Sequence, residues 1–194
     1  MNVLYEIGKG LFYFYFKLFN RLEIRGLENF PEDKSVLLCS NHISNLDPPL
    51  VGSASPRMVH FMAKEELFKN PIAKGILNGV GAFPIKRGMS DKQAIRKAMT
   101  LLKSDKVVGL FPEGTRSKTR KLGKGLTGAG FFALRSNSHI LPCAITGSYK
   151  PFNKIIVTFG KPIEFSSLRE EKASAKEATE KIMEAIDQLL SENS

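Results

Sequence analysis

Six short apolar runs, at residues 35–39, 58–62, 82–86, 107–111, 140–146 and 154–160, alternate along the chain with helical patterns. Each run is bounded by Gly, Pro or polar residues, as buried strands are. Between them, residues 91–102 place Ile95, Ala98, Met99 and Leu102 on one helical face. A second helix is predicted over 127–136. A last one begins at Ser174, which makes a capping box with Glu177 and leads a stripe of Ala178, Ile182, Ala185, Ile186 and Leu189. Strands alternating with helices dictate an α/β fold, expected here as a single domain with a mixed, mostly parallel sheet flanked by helices. Ligands of such folds sit in the loops beyond the strand ends, so chemistry is expected in the segments just after the apolar runs.

At 194 residues the chain has room for one full core. Its 29 Lys and Arg against 19 Asp and Glu leave a formal charge of +10. Such a surface attracts anions: nucleic acid, acidic lipid head groups, phosphorylated substrates or an acidic carrier protein. Cys39 and Cys143 both lie inside apolar runs, which reads as buried thiols rather than a disulfide framework or a metal site, and suits a reducing compartment.

Residues 1–22, MNVLYEIGKGLFYFYFKLFNRL, stand apart from the rest of the chain. No basic region precedes the apolar part and no small-residue cleavage site comes after it, so a secretory signal is not expected here. A spanning helix needs about 20 mainly apolar residues, and Glu6, Lys9 and Lys17 interrupt this one. What remains is a helix dense in Phe12, Tyr13, Phe14, Tyr15, Phe16 and Phe19, with Lys17, Arg21 and Arg25 close behind. Rings beside cations favour the membrane–water interface. Packing on the protein's own core is the other reading. The apolar residues run nearly all round the helix from Leu11 to Phe16, which favours membrane contact. The expected organisation is therefore a membrane-interface helix over 1–22 and one domain over 23–194.

Four segments carry candidate chemistry. Asn41-His42-Ile43-Ser44-Asn45-Leu46-Asp47-Pro48 comes directly after the first predicted strand. Asp47 follows His42 by five positions, so the two are not neighbours on one helix face, where the spacing is three or four. A loop that turns back brings them together, and Asp47 before Pro48 has the look of an N-cap with Pro at the first helical position. A carboxylate on one imidazole nitrogen sets the tautomer and leaves the other nitrogen to take a proton from a hydroxyl. Read alone, the segment is better described as a capping Asp beside a satisfied loop histidine, and the other segments shift that balance. Phe111-Pro112-Glu113-Gly114-Thr115-Arg116-Ser117 offers a glycine for close approach, a guanidinium fork for phosphate and amides near a developing oxyanion, or only a tight turn with a solvated ion pair. Gly81-Ala82-Phe83-Pro84-Ile85-Lys86-Arg87-Gly88 is a strand ending in two cations, in which Pro84 suggests an edge or a bend. Ile140-Leu141-Pro142-Cys143-Ala144-Ile145-Thr146-Gly147 reads as core strand or pocket wall.

Taken together, NHISNLDP, GAFPIKRG, FPEGTRS and ILPCAITG resemble, in order and approximate spacing, the four motifs of the glycerolipid acyltransferases. The first is similar to that family's N-H-x-x-x-x-D box and the third to its F-P-E-G-T-R-S box. The chain is most similar in this respect to the short bacterial 1-acyl-sn-glycerol-3-phosphate acyltransferases. The resemblance implies that His42 is the general base on the acceptor hydroxyl and Asp47 its orienting partner. It implies that Arg87 and Arg116 hold the acceptor phosphate, that Glu113, Gly114 and Thr115 shape the acceptor site, and that Lys86 and Asn41 stand with them on the substrate side. No metal and no cofactor are implied; the donor would be an acyl thioester on coenzyme A or acyl carrier protein, attacked directly. The implied product is phosphatidic acid, made from lysophosphatidic acid at an anionic membrane surface, on the cytoplasmic face, by a peripheral or monotopic protein.

The residues agree with direct attack on an activated acyl group. The chain has no G-x-S-x-G elbow, no Cys beside a plausible His, and no H-E-x-x-H or paired C-x-x-C. Ser44 is expected to bond local backbone, and His60 and His139 to be structural. Gly123 to Gly128 spells G-x-G-x-x-G, but no strand precedes it and no acidic residue lies about 20 positions on, which removes the dinucleotide reading. Lys121 and Lys124 either steer an anionic substrate or are simply solvated. Glycerol-3-phosphate or another lysolipid is the alternative acceptor, because the boxes do not separate them. A non-catalytic basic module that binds lipid or nucleic acid is the remaining alternative. Nucleic acid is disfavoured because the aromatics gather in one N-terminal helix instead of interleaving with cations on strands.

Overall fold

The computed structural model describes residues 3–86 and 91–193. Among these residues the strands form one seven-stranded sheet in the order β1-β7-β6-β2-β5-β3-β4. The strands are β1 (Glu23–Arg25), β2 (Val36–Ser40), β3 (Val59–Lys64), β4 (Phe83–Ile85), β5 (Val107–Leu110), β6 (His139–Gly147) and β7 (Ile155–Phe159). Every pairing is parallel except β6 with β7. The helices are α1 (Val3–Asn20), α2 (Asp47–Ala54), α3 (Pro71–Gly79), α4 (Lys92–Lys103), α5 (Gly128–Arg135), α6 (Ser166–Glu170) and α7 (Ala175–Glu192).

A parallel sheet must be covered on both faces, because its crossovers put helices there. The alternation along β2 shows this directly. Val36 and Leu38 enter one cluster with Phe16, Leu50 and Val51 of α1 and α2. Leu37 and Cys39 enter the other with Ala98 of α4, Phe132 of α5 and Ile182 of α7. The result is three layers with β2 near the middle, flanked by β5 and β6. The C-terminal ends of β2, β5 and β6 therefore lie side by side.

The expected α/β class, single domain and mixed, mostly parallel sheet are what the structure shows, and Pro84 does sit on the edge strand β4. Ser174 and Glu177 form both halves of the capping box. The elements that sequence did not announce are short. β1 spans three residues and exists by pairing with β7, so no period could mark it. α3 is only nine residues, although its Asn70 side chain caps the amides of Ile72 and Ala73 ahead of Pro71, a signal that was legible. α1 is less uniform than its composition suggests. Tyr5, Phe16 and Asn20 are buried, whereas Val3, Ile7, Leu11, Phe14 and Leu18, one helical stripe, are 55–68% exposed.

Cys39 and Cys143 are both free and fully buried. Burial pushes the Cys143 thiol up to about 12, and Cys39 is raised by burial as well. Both remain protonated, inert thiols.

α5 meets α7 at Gly130, whose amide donates to Thr179 Oγ1 at 3.0 Å. A Cβ at Gly130 would run into the Ala175 carbonyl and the Thr179 amide, which are backbone and cannot swing aside. Nothing lies within 4 Å of a Cβ built at Gly128. Gly130→Ala is therefore expected to cost about 2 kcal/mol, a drop of roughly 4–8 °C in Tm for a domain of this size. Gly128→Ala should be neutral or slightly stabilising in the same melt. Equal melting points for the two variants would show that α5 and α7 do not pack this closely.

Candidate active site

The end of β2 delivers Asn41 and His42 into the molecule. Asn41 is 3% exposed, and both ends of its carboxamide are used. Nδ2 donates to Ile145 O at 3.0 Å and Oδ1 accepts from Ile145 N at 2.7 Å. The side chain thus continues the β2–β6 ladder one rung past the strand. Asn41 was expected on the substrate; the structure shows it fastening the loop that carries His42, with its polar atoms committed to that strand.

The loop turns at Ser44, whose hydroxyl accepts from Leu46 N at 3.1 Å, and re-enters as α2. His42 Nδ1 lies 2.7 Å from Asp47 Oδ2. A carboxylate only accepts, so Nδ1 carries the hydrogen and the lone pair is on Nε2. Asp47 is not the N-cap. Leu46 holds that position and Asp47 is the first helical residue, its carboxylate turned back to accept from Ile43 N at 2.6 Å and Ser44 N at 2.8 Å. Its other oxygen, Oδ1, accepts from Tyr149 OH at 2.6 Å. Asp47 is fully buried. Burying an ion costs several kcal/mol, and four hydrogen bonds to a charged acceptor at about 1.5–3 kcal/mol each offset that. A simple cap needs none of this. The burial of Tyr149 and the adjoining Asp47 charge push its phenol pKa up, so it stays a neutral donor.

The third motif leaves β5 as a turn from Phe111 to Gly114, closed by Gly114 N to Phe111 O at 2.9 Å. Gly114 has φ 66°, and a Cβ there would meet the Leu126 side chain, so both backbone and space require glycine. Phe111 stacks on the His42 ring at 4.1 Å and 17°, and on Phe61 behind it at 5.5 Å. Glu113, 7% exposed, spends its carboxylate on two amides: His42 N at 2.8 Å and Gly123 N at 2.9 Å. The His42 carbonyl accepts from Ser117 N at 2.8 Å. The backbone of His42 is thereby locked from both sides by the FPEGTRS segment. Glu113 clamps the His42 loop to the segment at Gly123.

Thr115 and Arg116 come after the turn and are exposed. Lys86 is exposed at the end of β4, 3.6 Å from Glu65. Arg87 lies outside the described residues, as does Gly88. His60 Nδ1 lies 2.9 Å from Gly81 O; since a carbonyl only accepts, Nδ1 is the protonated nitrogen. Burial lowers its pKa.

Two features had no signal in the sequence. Tyr149 lies 102 positions from Asp47, and no spacing rule connects them. The other is a cavity of about 300 Å³ opening beside Phe111, Gly114 and Lys86, with apolar walls that include Met62, Ile85, Ile95 and Phe132. A larger cavity, about 520 Å³, runs along the β4 edge past His60 and Lys97; neither cavity is lined by His42 or Asp47, and the smaller one reaches the pair through Phe111, which stacks on the His42 ring. Among the described residues no group of three or more His, Cys, Asp or Glu is placed to share a metal ion.

The arrangement is a buried His–Asp pair stacked on Phe111, which walls an apolar cavity with Lys86 at its rim. Known proteins are similar to this chain in sequence and in frame. A 1-acyl-sn-glycerol-3-phosphate acyltransferase of Bacillus subtilis is 29% identical over 180 residues, covering 88% of this chain and 87% of that protein. The chloroplastic 1-acyl-sn-glycerol-3-phosphate acyltransferase LPAT1 of Arabidopsis thaliana is 31% identical over 182 residues, 87% of this chain; the chain spans half of that longer protein. The crystal structure of the 1-acyl-sn-glycerophosphate acyltransferase PlsC from Thermotoga maritima superposes with a TM-score of 0.73 at 25% identity, covering 96% of this chain and 78% of that one. The family profile described as Acyltransferase matches residues 21–146, which hold the His–Asp loop, the glycine turn and most of β6. The chain belongs to the Acyltransferase family.

Proposed function

We propose that this protein transfers a fatty acyl group from a thioester to the sn-2 hydroxyl of 1-acyl-sn-glycerol-3-phosphate, giving phosphatidic acid. The observation that carries the reading is the His42 Nδ1–Asp47 Oδ2 contact at 2.7 Å, beside an apolar cavity with Lys86 on its rim. The relatives named for this reaction support it. His42 Nε2 takes the proton of the acceptor hydroxyl as its oxygen attacks the thioester carbonyl. The tetrahedral intermediate collapses, the carbon–sulfur bond breaks, and the imidazolium returns its proton to the departing sulfur. Asp47 stabilises the transient imidazolium. Arg116, Lys86 and Arg87 would meet the acceptor phosphate, with Thr115 and Gly114 at the turn. The 300 Å³ cavity suits an acyl chain. The donor is an acyl thioester of coenzyme A or of acyl carrier protein.

The protein would work on a membrane surface, at the cytoplasmic face. No described helix is long and apolar enough to cross a bilayer. The exposed stripe of α1 instead offers Leu11 and Phe14, each 68% exposed, to the acyl boundary. α3 meets α1 where Gly79 lies against Leu4, and adds exposed Ile72 and Ile76. The net charge of +10 suits anionic head groups.

The decisive assay is purified protein with lysophosphatidate and each thioester donor, phosphatidate being monitored by mass spectrometry. His42→Ala should lower kcat by about 10²–10⁴-fold with an unchanged melting curve; turnover within a few-fold of wild type would remove His42 as the base. Arg116→Ala should raise the apparent KM for the phosphorylated acceptor roughly tenfold and leave that of the donor alone, whereas parallel effects on both would place Arg116 elsewhere. Replacing Leu11, Phe14 and Leu18 together by Ser should abolish sedimentation with anionic vesicles without destabilising the fold. Undiminished sedimentation would put the membrane contact on another surface.

A further inference from the structure

Three of the four donors to Asp47 come from its own loop, at residues 42–44, and all three reach Oδ2. They fix the carboxylate to the loop but not to the rest of the protein. Among the described residues, the remaining oxygen is held only by Tyr149, from the segment that joins β6 to β7. That segment is tied to the C-terminal end of α1. Asn20, 1% exposed, donates through Nδ2 to Lys150 O at 3.2 Å and to Ser148 O at 3.5 Å. Phe152 N donates to Phe19 O, and Phe152 itself is held at φ 66°, a backbone state that a non-glycine residue keeps only where its surroundings impose it. The Tyr149 ring meets the fully buried Phe16 edge-on at 6.2 Å. Arg120, from the segment beyond the glycine turn, donates to Gly147 O on the other side.

We propose that Tyr149 is the positioning residue that orients the Asp47 carboxylate on His42, and that it transmits the seating of α1 to this pair through the 148–152 segment. The proposal rests on the acyl-transfer reading only for its kinetic readout. One unbroken series of contacts runs from the exposed stripe of α1, through Phe16 and Asn20, to Tyr149 OH, Asp47 Oδ1 and His42 Nδ1. An α1 displaced from the sheet carries the segment with it and withdraws the hydroxyl. The fully buried Oδ1 then lacks its donor, and the carboxylate turns to find another. Proton abstraction is aligned only while α1 is seated. A lipid surface that holds α1 in place would thereby hold the base in place.

The test compares wild type with Tyr149→Phe, Asn20→Ala and the double variant. Phe keeps the ring against Phe16 and removes only the hydroxyl. The low-field Nδ1 proton resonance of His42 is recorded by NMR, and kcat and KM are measured on lysophosphatidate. Tyr149→Phe is expected to lower kcat about tenfold, the scale of one lost charge-assisted hydrogen bond, with both KM values within about twofold. The His42 resonance should move or broaden. Asn20→Ala should do the same to a smaller degree, and the double variant should be no worse than Tyr149→Phe, as for two positions on one path. If Tyr149→Phe does not fold, Asn20→Ala carries the test through the same resonance and the same kinetics. An unmoved resonance together with wild-type kcat overturns the proposal, and so do losses that multiply in the double variant. A resonance that moves in a protein inactive on lysophosphatidate upholds the positioning and sinks the acceptor assignment instead.

Discussion

A carboxylate with no solvent contact, held by an imidazole, two amides and a phenol, sets the terms for everything around it. Asp47 has to be ionised to hold the His42 tautomer, and in a low-dielectric interior an unpaired charge is costly. The fold meets this with two loop amides, the imidazole N–H and a hydroxyl from a distant segment. Once those donors are in place, the carboxylate can rotate only by breaking at least one of them. The imidazole inherits that rigidity, and so does the position of Nε2. Preorganisation of this kind spares the transition state the reorganisation that water would need.

The remaining polar groups of the site serve the same end. Asn41 and Glu113 carry the residue types of a ligand-binding pair, yet their polar atoms are spent on backbone. Each ties the His42 loop to a different neighbour, Asn41 to β6 and Glu113 to the segment before α5. Phe111 completes the frame by stacking on the imidazole. Chemistry is thus confined to few atoms, and a larger group of residues keeps them still. The parallel sheet makes this possible because the ends of β2, β5 and β6 are adjacent, so loops remote in sequence meet above them. An amphiphilic acceptor suits such a place, with an apolar cavity on one side of Phe111 and Lys86 at its rim.

Much of this was legible from residue order. The alternation of apolar runs with helical stripes announced an α/β domain because a buried strand and an amphipathic helix each have a period that burial enforces. The five-position offset from His42 to Asp47 required a returning loop, and Pro48 marked where the helix begins. The turn at Gly114 was foreshadowed by a glycine soon after a strand and a proline. Pro84 named an edge, since it has no amide to give to a second neighbour. Local signals of this sort survive in sequence because they depend on nearest neighbours along the chain.

What the chain alone could not disclose depends on neighbours across it. That Asn41 and Glu113 bond backbone is decided by which strand lies beside β2 and which loop passes over β5. β1 has three residues and no pattern, and is a strand because β7 offers it an edge. The two faces of α1 differ because Phe16 and Asn20 meet the sheet and the 148–152 segment, whereas composition made the helix look apolar on all sides. Tyr149 is the sharpest case. Sequence supplied an imidazole, a carboxylate and a glycine turn; only the passage of the β6–β7 segment beside the His–Asp loop put a phenol on the carboxylate's second oxygen, because contact at that range is set by topology and not by spacing.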